Sequence, residues 1–463
     1  MEKLKHLGVW ITEAAITGVP MIPLFIFVTS FIKHEGEFTY VLPFVLFYAF
    51  SKMGEFTLGI FGKVNNPYRL AKISGWLVII GAVTILFGSF HIAFYDIGAI
   101  LIGFGTSIFG TMYRTVKGEL AAEHKFNYPH ANAVGFAIMT VLSFVILGQM
   151  GRLETVIIAM YVVMTIAALL TVQSFEVDSD KRHARIFVPN TGRWQDGIPA
   201  LLMLLIAFFV RLFKQTAGPV DIIIVVLLSA IILIIVAAHS KYTTKQVFEY
   251  RGVYVNEVLI MCVLFFVFKF IAQGDITGVI MINGFQFLGQ FIAILIGARI
   301  IAALHKHDLS VPNLCVICML GLLVLFAIPT YVTGVIAMTL IGFVSQIGDQ
   351  SIHTIFGRNT ELSRVDVGLS SQKTIGTGIV AGQTILVIVM AIVSFIMLHN
   401  DTIAMSAYAF HMNIEGVSTV FLITRIACAV VVALQGIAML IYAKCKTGTV
   451  LHWYGPQKVV KNS

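Results

Sequence analysis

Within long apolar runs the sequence places a few ionisable side chains, and in a hydrocarbon medium each would cost about 3 kcal/mol or more. Every one of them asks for a partner, a wet cavity or a task. Lys52 and Glu55 stand at i, i+3, close enough on one helix face to pair. Such a pair is either a gate or titratable couple on a solute or ion pathway, or a static neutralised link between helices. Gln346, Asp349 and His353 fall on one helical stripe. A carboxylate beside an imidazole makes a proton site, because histidine titrates near neutrality; the plainer alternative is a hydrogen-bonded vestibule network. Arg425 is a single cation that suits an anionic substrate or a carboxylate partner. Lys269 is placed to snorkel outward.

Other residues read as moving parts or as filler. Glu13 and Glu257 occupy matching positions near the starts of two runs and read as braces between bundles, a gating role on the cytoplasmic side. Gly103, Gly105, Gly376 and Gly378 let helices approach closely, Gly378 and Gly382 with the GxxxG spacing. Pro20 and Pro23 should bend the first run. Cys315 and Cys318 form a CxxC without a His or Cys cluster nearby and read as small apolar fillers. His305, His307 and Asp308 are a candidate metal set whose plainer reading is a solvated loop. No cofactor or metal is expected, and no phosphate-cradling glycine loop is present to suggest that ATP drives anything.

The elements that carry these residues must be apolar helices. Of 463 residues, 58% are hydrophobic and 12% charged, where a soluble domain carries about 25% charged residues. Half the usual charge cannot cover a water-facing surface. With 36 Phe, 18 Met and 5 Cys, disordered and disulfide-scaffold classes are excluded as well. An all-α polytopic membrane protein remains. Its net charge of +8 sits in short loops, which points to lipid headgroups as partners and not to nucleic acid. The first apolar run is too long for the core of a cleavable signal peptide.

A hydrocarbon core about 30 Å thick needs about 20 apolar helical residues. On that rule the sequence predicts fourteen transmembrane helices, at 7–31, 39–62, 70–90, 93–113, 131–150, 154–174, 197–213, 219–238, 252–272, 276–298, 311–329, 332–356, 372–398 and 415–443. The expected organisation is a six-helix bundle over 1–174, a cytoplasmic linker over 175–196 and an inserted hairpin over 197–238. A second linker over 239–251, a second six-helix bundle over 252–443 and a cytoplasmic tail over 444–463 follow. With both termini cytoplasmic, the outer loops keep only Lys33, Arg152, Arg211 and Lys214 among the 31 Lys and Arg. That asymmetry at every loop agrees with the positive-inside rule.

The two bundles also echo one another. Gly8-Val9-Trp10-Ile11-Thr12-Glu13 matches Gly252-Val253-Tyr254-Val255-Asn256-Glu257, Gly36-Glu37 matches Gly274-Asp275, and Leu101-Ile102-Gly103-Phe104 matches Leu340-Ile341-Gly342-Phe343. Gly135 corresponds loosely to Gly376. The offset stays near roughly 240 residues throughout, the mark of a duplicated bundle. Asp349 has Gly110 as its counterpart, so the acidic position breaks the symmetry.

This plan resembles the major facilitator superfamily, specifically its fourteen-helix branch of drug/proton antiporters. The segment Gly62-Lys63-Val64-Asn65-Asn66-Pro67-Tyr68-Arg69 is similar to a shortened form of the family's glycine, aspartate and basic-residue signature, with Asn65 or Asn66 in place of Asp. Glu13 through Pro20 is similar to the acidic-to-proline pattern of the family's first helix. Gly98 to Gly105 falls where the family carries an Arg and a Gln, both absent here. The resemblance implies a secondary active transporter of a small organic solute, working by alternating access with proton-coupled efflux. It implies a monomer in a cell membrane, that of a bacterial cell. An importer or a lipid-precursor flippase on the same scaffold stays open. The competing class, a membrane-embedded transferase, would need acids or histidines clustered in an aqueous loop, and the longest polar loop has none.

Overall fold

The structure is a computed structural model. It describes residues 2–18, 38–126, 131–148, 154–175, 182–216, 247–357, 363–400 and 414–447, with isolated residues between them. Six helices come first: α1 (Glu2–Gly18), α2 (Phe38–Phe61), α3 (Pro67–Leu86), α4 (Ala93–Ala122), α5 (Ala131–Gly148) and α6 (Glu154–Ser174). Next among the described residues is α7 (Gly197–Thr216). Six more are described after it: α8 (Val247–Ala272), α9 (Ile276–Lys306), α10 (Val311–Ala327), α11 (Tyr331–Gly357), α12 (Arg364–Leu398) and α13 (Val417–Thr447). Among the described residues the protein is all-helical, and nine helices are long and apolar enough to cross a membrane. The expected helix at 219–238 lies outside the described residues, as do Pro20 and Gly36-Glu37.

Local chemistry sets several boundaries. Pro67 opens α3 behind Asn66, whose side-chain oxygen accepts from the Arg69 amide at 3.0 Å, an N-cap that satisfies one orphan donor. Asp275 does the same for α9, accepting from the Gly278 amide at 2.8 Å. Ser363 and Asp366 close a capping box at the head of α12. Several helices outrun the apolar windows that predicted them. α4 continues to Ala122 and not 113, α9 to Lys306 and not 298, and α12 starts at Arg364 and not 372. A helix satisfies its backbone wherever it continues, so polar side chains facing the protein interior do not end it.

Helix pairing repeats between the halves. α1 packs on α5 and α6 as α8 packs on α12 and α13; α4 packs on α2 and α3 as α11 packs on α9 and α10; α3 packs on α6 as α10 packs on α13. Matching glycines bring the backbones together. A methyl at Gly103 would fall 2.5 Å from the Phe47 carbonyl oxygen, and one at Gly342 would collide with the Gln286 carbonyl oxygen. The α1–α5 approach at Gly135, against Glu13, has its counterpart at Gly382, against Glu257. Gly376, the sequence-matched partner, instead faces open space. The loose alignment at that position was therefore six residues out of register with the packing.

Each half keeps its own apolar core. The first is built from α1 to α6 and takes in Val365 and Leu369 of α12; the second is built from α8 to α13 and takes in Tyr48 and Ala49 of α2 with Met203 and Ala207 of α7. Outward faces are apolar too: Val141, Val163, Leu170, Val324, Val332 and Leu434 are each well over half exposed. Apolar side chains on both faces suit a lipid surround. Between α2 and α3, Lys63 to Asn66 form backbone bonds with 186–188, and the Asn66 amide group donates to the Ala184 carbonyl at 3.1 Å. This strap fixes the linker to the first half. α7 leaves it to pack against α2 and α12.

Candidate functional site

A cavity of about 180 Å³ lies between the two halves. Its walls come from α1, α2, α4 and α12, with Lys52, Glu55, Thr106, Thr111, Arg114 and Gln372 as polar lining. A larger cavity of about 410 Å³ is enclosed by Asn65, Tyr68, Glu119, Glu123, Asp178 and Ala184. That one sits under the linker strap within the first half, so it offers no route between halves.

The charged lining, Lys52, Glu55 and Arg114, comes from α2 and α4, and further charged groups on α11 and α12 lie near it. Glu55 of α2 is buried and accepts from the Thr111 hydroxyl of α4 at 2.6 Å. Lys373 of α12, Lys52 of α2 and Arg114 of α4 all act electrostatically on that carboxylate. The Lys373 ammonium rests 5.3 Å from the Phe56 ring centroid, and that of Lys52 lies 5.6 Å from the Tyr48 ring; both contacts favour the cations. On α11, Asp349 accepts from the Asn256 amide group of α8 at 2.8 Å. Arg114 acts on Asp349 and on His353 as well. It therefore stands within electrostatic reach of a carboxylate from each half. Gln346 shares the Asp349 stripe and is half-buried, whereas His353 is exposed.

The remaining sequence-selected residues lie elsewhere. Glu13 is held inside the first half by the Tyr113 hydroxyl at 2.9 Å and by Lys117, which also reaches Asn132. Glu257 is fully buried in the second half and accepts from Gln435 at 2.8 Å. Neither carboxylate bridges the halves here. Arg425 is 2% exposed, bonded to the Phe326 carbonyl and surrounded by the Phe265, Phe266 and Phe326 rings at 5.8, 5.1 and 5.1 Å. It belongs to the core of the second half and does not line the cavity. Gly103, Gly105 and Gly378 sit at close helix crossings, and Gly376 lines the cavity.

Sequence reading had missed Arg114, Thr111, Lys373 and Asn256. A twenty-residue window closes the fourth span at 113 and assigns Arg114 to a loop. The repeat held the missing signal, because the offset of roughly 240 residues sets Arg114 opposite His353. Asn256 lies in the repeated segment itself, one residue before Glu257.

The sequence matches no family model and no curated protein. Solved structures do match. The crystal structure of the nucleoside transporter NupG is 14% identical, with a TM-score of 0.53 over 94% of this chain and 98% of that one. A point mutant of NupG is 13% identical with a TM-score of 0.56, over 94% and 99%. A mutant of the peptide transporter POT in complex with alafosfalin is 14% identical with a TM-score of 0.50, over 96% and 95%. The chain has the fold of major facilitator-type transporters. The likeness covers nearly the whole chain, both halves included. At such identity it speaks for the fold alone, and function must be argued from the site.

Proposed function

We propose that the protein is a secondary active transporter of a small organic solute, operating by alternating access. One observation carries this reading: both halves contribute charged side chains to one group around a cavity between them, within a fold that known transporters share. Costly charges in a membrane interior are kept where they act. The bundles at 1–174 and 252–443 rock about the cavity, with α7, the first helix of the hairpin expected at 197–238, packed against α2 and α12. The working unit proposed is a monomer in the cell membrane. Coupling to protons is carried by Glu55 and Asp349, whose carboxylates compete for Arg114.

Counterflow in proteoliposomes tests the proposal. Vesicles preloaded with a mixed solute pool should exchange label with the medium, and an imposed pH gradient should drive net movement. Export when protons flow the other way would match the fourteen-helix resemblance; co-directional movement would make the protein an importer. Absence of any exchange with the pool, by protein shown to be folded and inserted, would sink the transporter reading.

A further inference from the structure

The duplicated halves hold the same carboxylate in two different settings. Glu13 on α1 and Glu257 on α8 close the repeated segments 8–13 and 252–257, and each lies at a glycine crossing, Gly135 for one and Gly382 for the other. Glu13 accepts from the Tyr113 hydroxyl at 2.9 Å and is paired with the Lys117 ammonium. Glu257 has no such answer. It is fully buried, and its Oε2 accepts from the Gln435 side-chain amide at 2.8 Å. Its Oε1 is buried without a hydrogen-bond partner among the described residues.

Among the described residues the ion pairs are Lys117–Glu13, Lys125–Glu123 and Lys125–Asp178, so Glu257 is in none. α8 packs against α9, α10, α11, α12 and α13, and the buried charged groups on those helices are engaged elsewhere. Asp349 accepts from Asn256, Lys373 acts with Glu55, and Arg425 sits against the Phe326 carbonyl and three rings. None of these, nor Arg251 or Lys269 on α8 itself, acts electrostatically on Glu257. Tyr254, one turn earlier, spends its hydroxyl on the Val432 carbonyl at 3.1 Å.

An unpaired carboxylate removed from water is so costly that the group takes up a proton instead. The geometry leaves a place for that proton. Oε2 is already an acceptor and so serves as the carbonyl oxygen, while the unpartnered Oε1 is free to be the hydroxyl. Glu13, with an ammonium beside it, has no such need.

We infer that Glu257 is a proton-binding site of the second half, a neutral carboxylic acid where its repeat counterpart Glu13 carries a charge. The site is separate from the cavity, which Glu257 does not line. As a coupling site it rests on the transport proposal, whereas the bound proton is measurable without transport.

Infrared spectra of the full-length protein in lipid vesicles at neutral pH would be compared with those of its variants. Subtracting Glu257→Gln from the unaltered protein should leave the carbonyl band of a protonated carboxylic acid, shifted in heavy water, and no carboxylate band. Glu13→Gln should give the converse, a loss of carboxylate bands alone. Gln435→Leu removes the amide donor and should move the acid band to higher frequency. Glu257→Asp should move that band without abolishing it, which keeps the test open if the Gln variant fails to fold by circular dichroism. A Glu257→Gln difference showing lost carboxylate, or an acid band unmoved by both Gln435→Leu and Glu257→Asp, would overturn the inference. A protonated Glu257 in protein that exchanges no solute in liposomes would leave this site standing and remove the transport reading. Solute exchange by protein with an ionised Glu257 would do the reverse.

Discussion

At the scale of the residue, charge inside this protein divides into groups that are fully answered and groups that are not. Glu13 is answered: a hydroxyl and an ammonium converge on it from α4, and the ammonium is itself tied to Asn132. Removing one member of a buried ion pair leaves the other uncompensated, at about 3–5 kcal/mol. Losing a neutral donor to a charged acceptor costs about 1.5–3 kcal/mol. Lys117→Met should therefore lower thermal stability more than Tyr113→Phe does. Equal losses in the two variants would show that the Lys117–Glu13 pair contributes nothing ionic. Arg425 is answered in part, by three rings and a carbonyl, with one buried guanidinium nitrogen left without a hydrogen bond among the described residues. Its sequence signal was that of a lone cation needing a partner, and residue type alone does not say whether the partner is a solute or a cage of phenylalanines.

At the scale of the element, hydropathy made the helices legible where lipid sets their ends and failed where protein does. The sixth span was expected at 154–174 and α6 runs Glu154–Ser174, because its apolar run stops at both interfaces. α4 and α12 carry on past their apolar windows into the charged group, and the residues gained, Arg114 and Lys117, are those a window must discard. The Asn at the signature loop was legible only as a departure from an expected Asp. The strap supplies its reason: Asn66 accepts the Arg69 amide and donates to Ala184 at once, and a carboxylate cannot donate. Glycines behaved likewise. Spacing marked Gly376 and Gly378 alike, yet a methyl at Gly378 collides with the Val253 carbonyl oxygen while one at Gly376 meets nothing within 4 Å. Forcing a methyl into a close-packed crossing costs about 1–3 kcal/mol. Gly378→Ala and Gly103→Ala should each destabilise by that amount in thermal unfolding, and Gly376→Ala should leave stability unchanged. A Gly376→Ala variant as damaged as the other two would mean that the α8–α12 crossing is not where the backbone contact lies.

At the scale of the whole molecule, the seam between the halves decides whether anything can move. The halves touch through α5 and α9, where Phe136 meets Phe287 and Phe291, and through α4 and α12. At the latter contact the Arg364 guanidinium donates to the Gly118 carbonyl at 3.0 Å, and Val365 and Leu369 are buried in the core of the first half. This contact ties the two halves together through α4 and α12, the helices that supply facing walls of the cavity. A rocking cycle has to break it once per turnover; a static scaffold never does. Thr115 and Gly368 face each other across it, a methyl at Gly368 falling 3.1 Å from the Thr115 hydroxyl oxygen, which makes the pair the position for an engineered disulfide. In a background lacking the native cysteines, the Thr115→Cys, Gly368→Cys double variant should exchange solute when reduced, stop when oxidised, and resume when the bond is reduced again. Either single variant should keep its exchange under oxidation. Undiminished exchange with the disulfide shown to be formed would mean that α4 and α12 stay together throughout the cycle, and alternating access by separation of these two helices would have to be abandoned.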